Sequence, residues 1–325
     1  MKPIYLDNGA TSFPKAPGLG QAMAQFIEEV GSNVNRGSYE SAISTEMVVM
    51  ETREMLCKLF HFSDPSHVLF TKNITESLNF LLKGYLKPGD HCIVSSMEHN
   101  AVMRPLVQLR EQGVTFDRVP CNQQGELQLE QMERLFRPNT KMVVMLHASN
   151  VCGTVLPIRQ VGRICQKHGV PLVLDSAQTA GFLDVDFQAL GLSALAFTGH
   201  KSLLGPQGMG GFLVNDHLAR ELVPLIAGGT GSASDQEGMP DFLPDKFESG
   251  TMNLPGIIGL RHALCYLEEM GIDTIQQREY ALTRRFLEGL SVIRGVRLQG
   301  KWSLKGRVPV LSVDFVGQDN AEVAH

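Results

Sequence analysis

Short, nearly unbroken apolar runs alternate with stretches of helical periodicity between His67 and Val214. The runs are His67-Val-Leu-Phe-Thr71, His91-Cys-Ile-Val-Ser95, Met142-Val-Val-Met-Leu-His147, Leu172-Val-Leu-Asp175, Leu195-Ala-Phe-Thr198 and Gly211-Phe-Leu-Val214. Strands with no polar face are covered on both sides, so the pattern predicts an α/β fold with a largely parallel sheet flanked by helices. Between the strands, Thr75 to Lys83 and Ile158 to His168 read as helices. They are followed by Gly84 and Gly169, where a C-cap favours positive φ.

The periodicity changes after the last of these strands. Ala227 to Lys246, with Gly228-Gly-Thr-Gly231, serines, acids and two prolines, reads as one long functional or mobile loop. Beyond it, Ile257 to Met270 and Ile272 to Leu290 have helical spacing, and Val308 to Val316 reads as a strand. The expected organisation is an N-terminal segment, 1–15, packing with a small α+β domain, 251–325, and a large domain, 16–250, between them. Gln318 to His325 holds a cap and about one turn of helix formers, too little for a stable isolated helix. The small domain is therefore expected to be incomplete, with the chain stopping inside an element.

At 325 residues, 43% of them hydrophobic and 19% charged, the chain has the composition of an ordinary globular protein. A net charge of −5 gives no footprint for nucleic acid. The sequence shows neither a signal peptide nor a bilayer-spanning run, which makes the cytoplasm the default location and leaves membranes out of the expected partners. Cys57, Cys92, Cys121, Cys152, Cys165 and Cys265 are scattered without a Cys-x-x-Cys pair, so they are expected to be reduced, mostly buried packing residues, with no metal site.

Candidate chemistry concentrates just after the apolar runs, where an open parallel sheet binds its ligands. Lys201 follows one run and Asp175 ends another. An amine able to form a Schiff base, paired with an aspartate for a pyridine nitrogen, points to pyridoxal 5'-phosphate. Thr75 and Glu76 open a helix whose free N–H groups suit a phosphate, and Thr198 and His200 could donate to the same group. His99 could lie flat on the cofactor ring and take part in proton transfer, Gln178 suits the ring hydroxyl, and Asn150 suits either the phenolic oxygen or a substrate carboxylate. Gly205 to Gly211 lacks dinucleotide-motif spacing and reads as a tight turn.

Tyr5-Leu-Asp-Asn-Gly-Ala-Thr11, Asn33-Val-Asn-Arg-Gly37, Thr75-Glu76, Glu98-His99-Asn100, Ser149-Asn-Val-Cys-Gly-Thr154, Asp175-Ser-Ala-Gln178, Thr198-Gly-His-Lys201, Gly205-Pro-Gln-Gly208 and Phe247-Glu-Ser-Gly-Thr251 follow one another in this order. In that order they resemble the motifs of cysteine desulfurases and selenocysteine lyases, in the class V aminotransferase group. The resemblance implies a PLP-dependent transferase fold of type I and a homodimer working in sulfur metabolism and iron–sulfur cluster assembly. It implies that Lys201 would bond the cofactor, His99 would stack on it, Asp175 would meet the ring nitrogen and Gln178 the ring oxygen. Thr75, Thr198 and His200 would hold the phosphate, and Thr251 would reach the phosphate of the partner subunit. Asn150 would face the substrate, while Asn35 and Arg36 would line its entrance.

Two departures accompany the resemblance. Thr198 stands where the family has serine, and none of the six cysteines falls where the family carries its sulfur-accepting thiol. Cys152 is the only cysteine close to a site motif, at a turn position. The expected reaction takes sulfur from L-cysteine, leaving L-alanine and a sulfane sulfur for an acceptor protein. This chain is expected to bind cofactor but to show little desulfurase activity. Selenocysteine lysis, transamination or another β-elimination, and a non-catalytic partner-binding role are the alternatives.

Overall fold

The computed structural model describes residues 4–34, 40–233 and 235–324. In chain order the elements are α1 (Leu19–Gln25), running into a π-helical turn at Phe26–Val30, α2 (Glu40–Phe60), β1 (Val68–Thr71), α3 (Ile74–Lys83), β2 (His91–Ser95), α4 (Asn100–Glu111) and β3 (Thr115–Val119). There follow α5 (Leu129–Met132), β4 (Thr140–Leu146), α6 (Ile158–His168), β5 (Leu172–Asp175), β6 (Ala194–Thr198), β7 (Gly210–Val214) and α7 (Asp216–Glu221). The chain continues through α8 (Leu254–Met270), α9 (Ile272–Ser291), β8 (Val296–Gln299), β9 (Ser312–Phe315) and α10 (Asn320–Ala324).

One seven-stranded sheet, in the order β1-β7-β6-β5-β4-β2-β3, organises the molecule. β7 pairs antiparallel with both neighbours, and every other pairing is parallel. All strands except β7 thus point the same way, bringing their carboxyl ends to one edge. The strands are buried on both faces because alternate residues enter different cores. Leu69, Val173 and Phe212 pack among Leu78, Leu81, Val102 and Leu106 of α3 and α4. Phe70, Leu174 and Leu213 pack among Leu56, Phe60, Ile257 and Leu260 of α2 and α8. Six strands follow the predicted runs to within two residues, and the parallel expectation holds.

Four local expectations need correction. β3 lies at the sheet edge with Thr115 and Arg118 exposed and only Val119 buried, so Thr115-Phe-Asp-Arg-Val119 carries no continuous apolar signal. Gly84 is right-handed at φ −73, unlike Gly169 at φ 64. Its reason is space, since a Cβ there would meet the Phe80 and Val223 carbonyl oxygens at 2.5 and 2.6 Å. The predicted Val308–Val316 strand is reduced to Ser312–Phe315, which pairs with β8, a strand the sequence pattern did not reveal. Pro309 has no amide hydrogen for a ladder, and Val308 instead donates to Gly153 at 2.8 Å.

The N-terminal segment runs along the carboxyl edge of the sheet. Ser12 N–H donates to the His200 carbonyl at 3.1 Å, Ala16 N–H to Leu204 at 3.2 Å, and the Gln178 side-chain amide to Gly9 at 3.1 Å. Among the described residues no helix is long and apolar enough to cross a membrane.

Candidate active site

Lys201 sits in a loop closed by its own main chain. Gly199 N–H donates to Met209, Gly205 N–H to Gly199 and Leu204 N–H to Lys201, at 2.9, 2.8 and 2.8 Å. This loop carries the lysine from the end of β6 into partial burial. Desolvation lowers its pKa below the ordinary ammonium value, against the opposing pull of Asp175 and Asp7. Both effects matter chemically, because only the neutral amine is a nucleophile and the carboxylates limit how far it strays.

Asp175 ends the adjacent strand β5 with 5% exposure. Burial raises its pKa, while the Ala177 N–H at 2.9 Å and the charges of Lys201 and His99 draw it back. Among the described residues the carboxylate makes no ion pair, a costly state that a cationic ring nitrogen would relieve. Lys201 and His99 are thus both close enough to act on the charge of Asp175.

A second cluster forms where β1 and β6 flank β7. Gly210 is paired with Thr71 on one side and Thr198 on the other. A Cβ at Gly210 would lie 2.8 Å from the Asn73 backbone and 2.9 Å from the Phe197 carbonyl, so glycine lets the start of α3 approach the end of β6. The Thr198 hydroxyl is 2% exposed and has no hydrogen-bond partner. Asn73, rather than Thr75, caps α3 by accepting from Glu76 N–H at 2.9 Å. The Thr75 hydroxyl is left out of the capping and the helix start keeps free N–H groups, which suits an anion. The Glu76 carboxylate accepts from Lys72 N–H at 2.7 Å, so its visible work is to hold this turn.

His99 is the N-cap of α4, its Nδ1 accepting the Ala101 N–H at 3.0 Å. That bond assigns the proton of the neutral ring to Nε2 and leaves the exposed imidazole oriented at the site. Gln178 is buried and keeps part of its amide free beyond the bond to Gly9. Asn150 is exposed on the turn after β4, beside Ser149, whose Oγ accepts from the Val151 and Cys152 amides. His200 holds its imidazole against Thr11 Oγ1 at 3.0 Å, with its pKa depressed to about 4 by burial and by the neighbouring charges of Lys201 and Lys15. Thr251 is exposed and lines a small cavity with Asn33, Thr230 and Glu248, two residues before Asn253, whose side-chain amide donates to the Gly208 carbonyl at 2.9 Å. Asn35 and Arg36 lie outside the described residues.

Cys152 is 5% exposed and packed against Thr154. A Cβ on Gly125 would fall 2.7 Å from its Sγ, so the thiol is packed tightly against that turn. Cys57, Cys92 and Cys165 are buried too, Cys121 is half-buried and Cys265 exposed, and all are unpaired, as expected of packing cysteines.

Three contributing residues had no role in the sequence reading. Lys15 reaches the His200 carbonyl at 2.6 Å, and its only signal was its place just after the Tyr5–Thr11 motif. Glu98 stands within a quoted motif, but its side chain folds inward, which no periodicity shows. Arg307 is completely buried and donates to main-chain oxygens of Cys152 and Val310 at 3.4 and 2.6 Å, fastening the segment around Val308 to the Asn150 turn.

An amine and an unpaired aspartate lie at or just past the ends of neighbouring strands, beside a helix start with free N–H groups, an arrangement suited to a cofactor carrying an aldehyde and a phosphate. The aminotransferase class-V family matches residues 4–325, so the chain belongs to that family. Cysteine desulfurases are among the proteins it is similar to. A probable cysteine desulfurase of Methanothermobacter thermautotrophicus is 33% identical over 302 residues, 91% of this chain and 74% of the relative. One from Halalkalibacterium halodurans is 31% identical over 98% of this chain and 80% of its own length. The apo structure of the cysteine desulfurase from Thermococcus onnurineus superposes with a TM-score of 0.92 at 29% identity, covering 99% of this chain and 81% of that one.

Proposed function

We propose that this chain binds pyridoxal 5'-phosphate on Lys201 and removes sulfur from L-cysteine, giving L-alanine and a sulfane sulfur destined for an acceptor protein. The observation that carries the reading is the buried Asp175 carboxylate, without a cation of its own, set near the Lys201 amine. The orphaned Thr198 hydroxyl and the open start of α3 fit a phosphate in the same way. The bound cofactor supplies an electron sink for breaking the bond to sulfur.

The roles of the chain's own groups follow from their positions. Asp175 would hold the ring nitrogen protonated, His99 would cover the ring face, and Gln178 would donate to its oxygen. Thr75, Thr198 and the first amides of α3 would grip the phosphate. His200, neutral because its pKa is about 4, can offer a phosphate only its single N–H. Lys201, eased toward its neutral form by burial, would give up its place to the substrate amine and then carry protons. Asn150, on the turn at the mouth, would meet the substrate.

The working unit is a homodimer in this reading. Ile43, Met47 and Met50 form an exposed apolar stripe at i, i+4 and i+7 on α2, a surface a second copy could cover, and the exposed Thr251 would serve the partner's phosphate. The large domain, 16–250, would hold the cofactor, with 251–325 and the first fifteen residues closing over the substrate. Incubation with L-cysteine and separate assays of alanine, sulfide and pyruvate test the reaction. With no described cysteine at the site to take the sulfur, the chain alone should form little alanine, whereas alanine appearing with sulfide once an external thiol is added, and lost in Lys201→Ala, is expected. Pyruvate instead of alanine would replace it with β-elimination, and turnover of L-selenocysteine alone would make it a selenocysteine lyase.

A further inference from the structure

Glu98 folds back onto the strand it follows. Its Oε1 accepts from Ser95 Oγ at 2.6 Å, Leu146 N–H at 3.0 Å and Ser95 N–H at 3.3 Å. The β2–β4 pairing ends at Val94 and Val144, so those two amides lie past its last paired residues. Ser95 Oγ also accepts from Met97 N–H at 3.1 Å, and Ser96 Oγ from Cys121 N–H at 2.9 Å, so the whole turn is tied down. Oε2 is shielded from water with no partner. The next residue is His99.

We propose that Glu98 is the positioning residue for His99: one carboxyl oxygen joins the ends of β2 and β4 and thereby fixes the turn that presents the imidazole to the cofactor. The inference rests on the cofactor reading above. What the geometry needs from this side chain is an acceptor at Oε1, and an uncharged acid supplies it as well as an anion. Burial favours that neutral form, pushing the Glu98 pKa up to about 8 against the pull of the Ser95 and Leu146 hydrogen bonds. The nearby Asp175 adds to the upward push, and a neutral Glu98 leaves Asp175 as the anion facing the ring nitrogen. An amide of the same shape should therefore substitute for the acid, whereas a methyl should not.

The test is the cofactor dissociation constant of the apoprotein, read by absorbance titration with pyridoxal 5'-phosphate. Parent, Glu98→Gln and Glu98→Ala are each measured with His99 present and in a His99→Ala background. With His99 present, Glu98→Ala should weaken binding about tenfold, the scale of orphaned buried amides. Glu98→Gln should stay within about twofold of the parent, and in the His99→Ala background the effect of Glu98→Ala should fall below about twofold, because coupled residues are not additive. An equal loss from Glu98→Ala in both backgrounds, or a Gln variant as weak as the Ala variant, overturns the inference. A parent that binds no cofactor overturns the function proposed above, and this inference with it, whereas the variant pattern bears on Glu98 alone.

Discussion

Lys15 Nζ donates to the main-chain carbonyl of His200 at 2.6 Å. The same ammonium reaches Thr11 Oγ1 and Ser12 Oγ at 3.1 Å each, so one side chain ties the N-terminal segment to the residue before Lys201. Its charge also helps hold the His200 pKa near 4, behind burial and Lys201. Lys15→Met should move the His200 titration upward toward the ordinary histidine range, as followed by NMR of the ring protons. An unchanged midpoint would show that the ammonium does not act on the ring.

Thr198 offers an opposite pair of effects. Its hydroxyl is buried without a partner, so Thr198→Val should leave the cofactor-free protein as stable or more so, by up to about 1 kcal/mol. Cofactor binding should nevertheless weaken by about tenfold, the worth of one hydrogen bond to a charged group. Thermal melts with and without cofactor check both signs. Equal cofactor affinity in the variant would remove Thr198 from the phosphate site.

Arg307 is a fully buried guanidinium whose acceptors are main-chain carbonyls. Arg307→Met keeps the stem but orphans those oxygens and frees the Cys152 turn from the segment around Val308. A loss of more than about 2 kcal/mol in urea unfolding is expected. A variant within about 0.5 kcal/mol of the parent, the range of ordinary surface changes, would contradict the clamp.

Glu98 sets a pH dependence whose sign can be worked out. Its folded pKa, about 8, lies above the unfolded carboxylate value, so between those values the folded state binds the extra proton. Stability from this group therefore falls as pH rises, and is greatest below the unfolded pKa. Glu98→Gln removes that slope. Relative to the variant, the parent should lose more than about 1 kcal/mol between pH 5 and 8 in urea titrations. Parallel curves would mean that Glu98 is already ionised across this range.

The sheet was readable because its strands are buried on both faces and therefore apolar throughout, as in Leu172–Asp175 and Ala194–Thr198. β3 escaped because an edge strand needs no such run, and β8 because its pattern is mixed, with only Leu298 buried. The places of the candidate residues were legible, because Asp175 and Thr198 end predicted strands and Lys201 follows one. Lys15 and Arg307 were not, because each acts on main-chain carbonyls far away in sequence, His200 in one case and Cys152 in the other. The cap of α3 was not fixed by the sequence for a related reason. Asn73 and Thr75 are both plausible caps, and the choice is made only when Asn73 meets Glu76 N–H.

The most direct measurement is borohydride reduction of the protein incubated with pyridoxal 5'-phosphate, followed by peptide mass spectrometry. The account predicts a single phosphopyridoxyl adduct on the peptide containing Lys201, absent from Lys201→Ala. An adduct on Lys15 or another lysine with Lys201 unmodified, or no adduct at all, would contradict it.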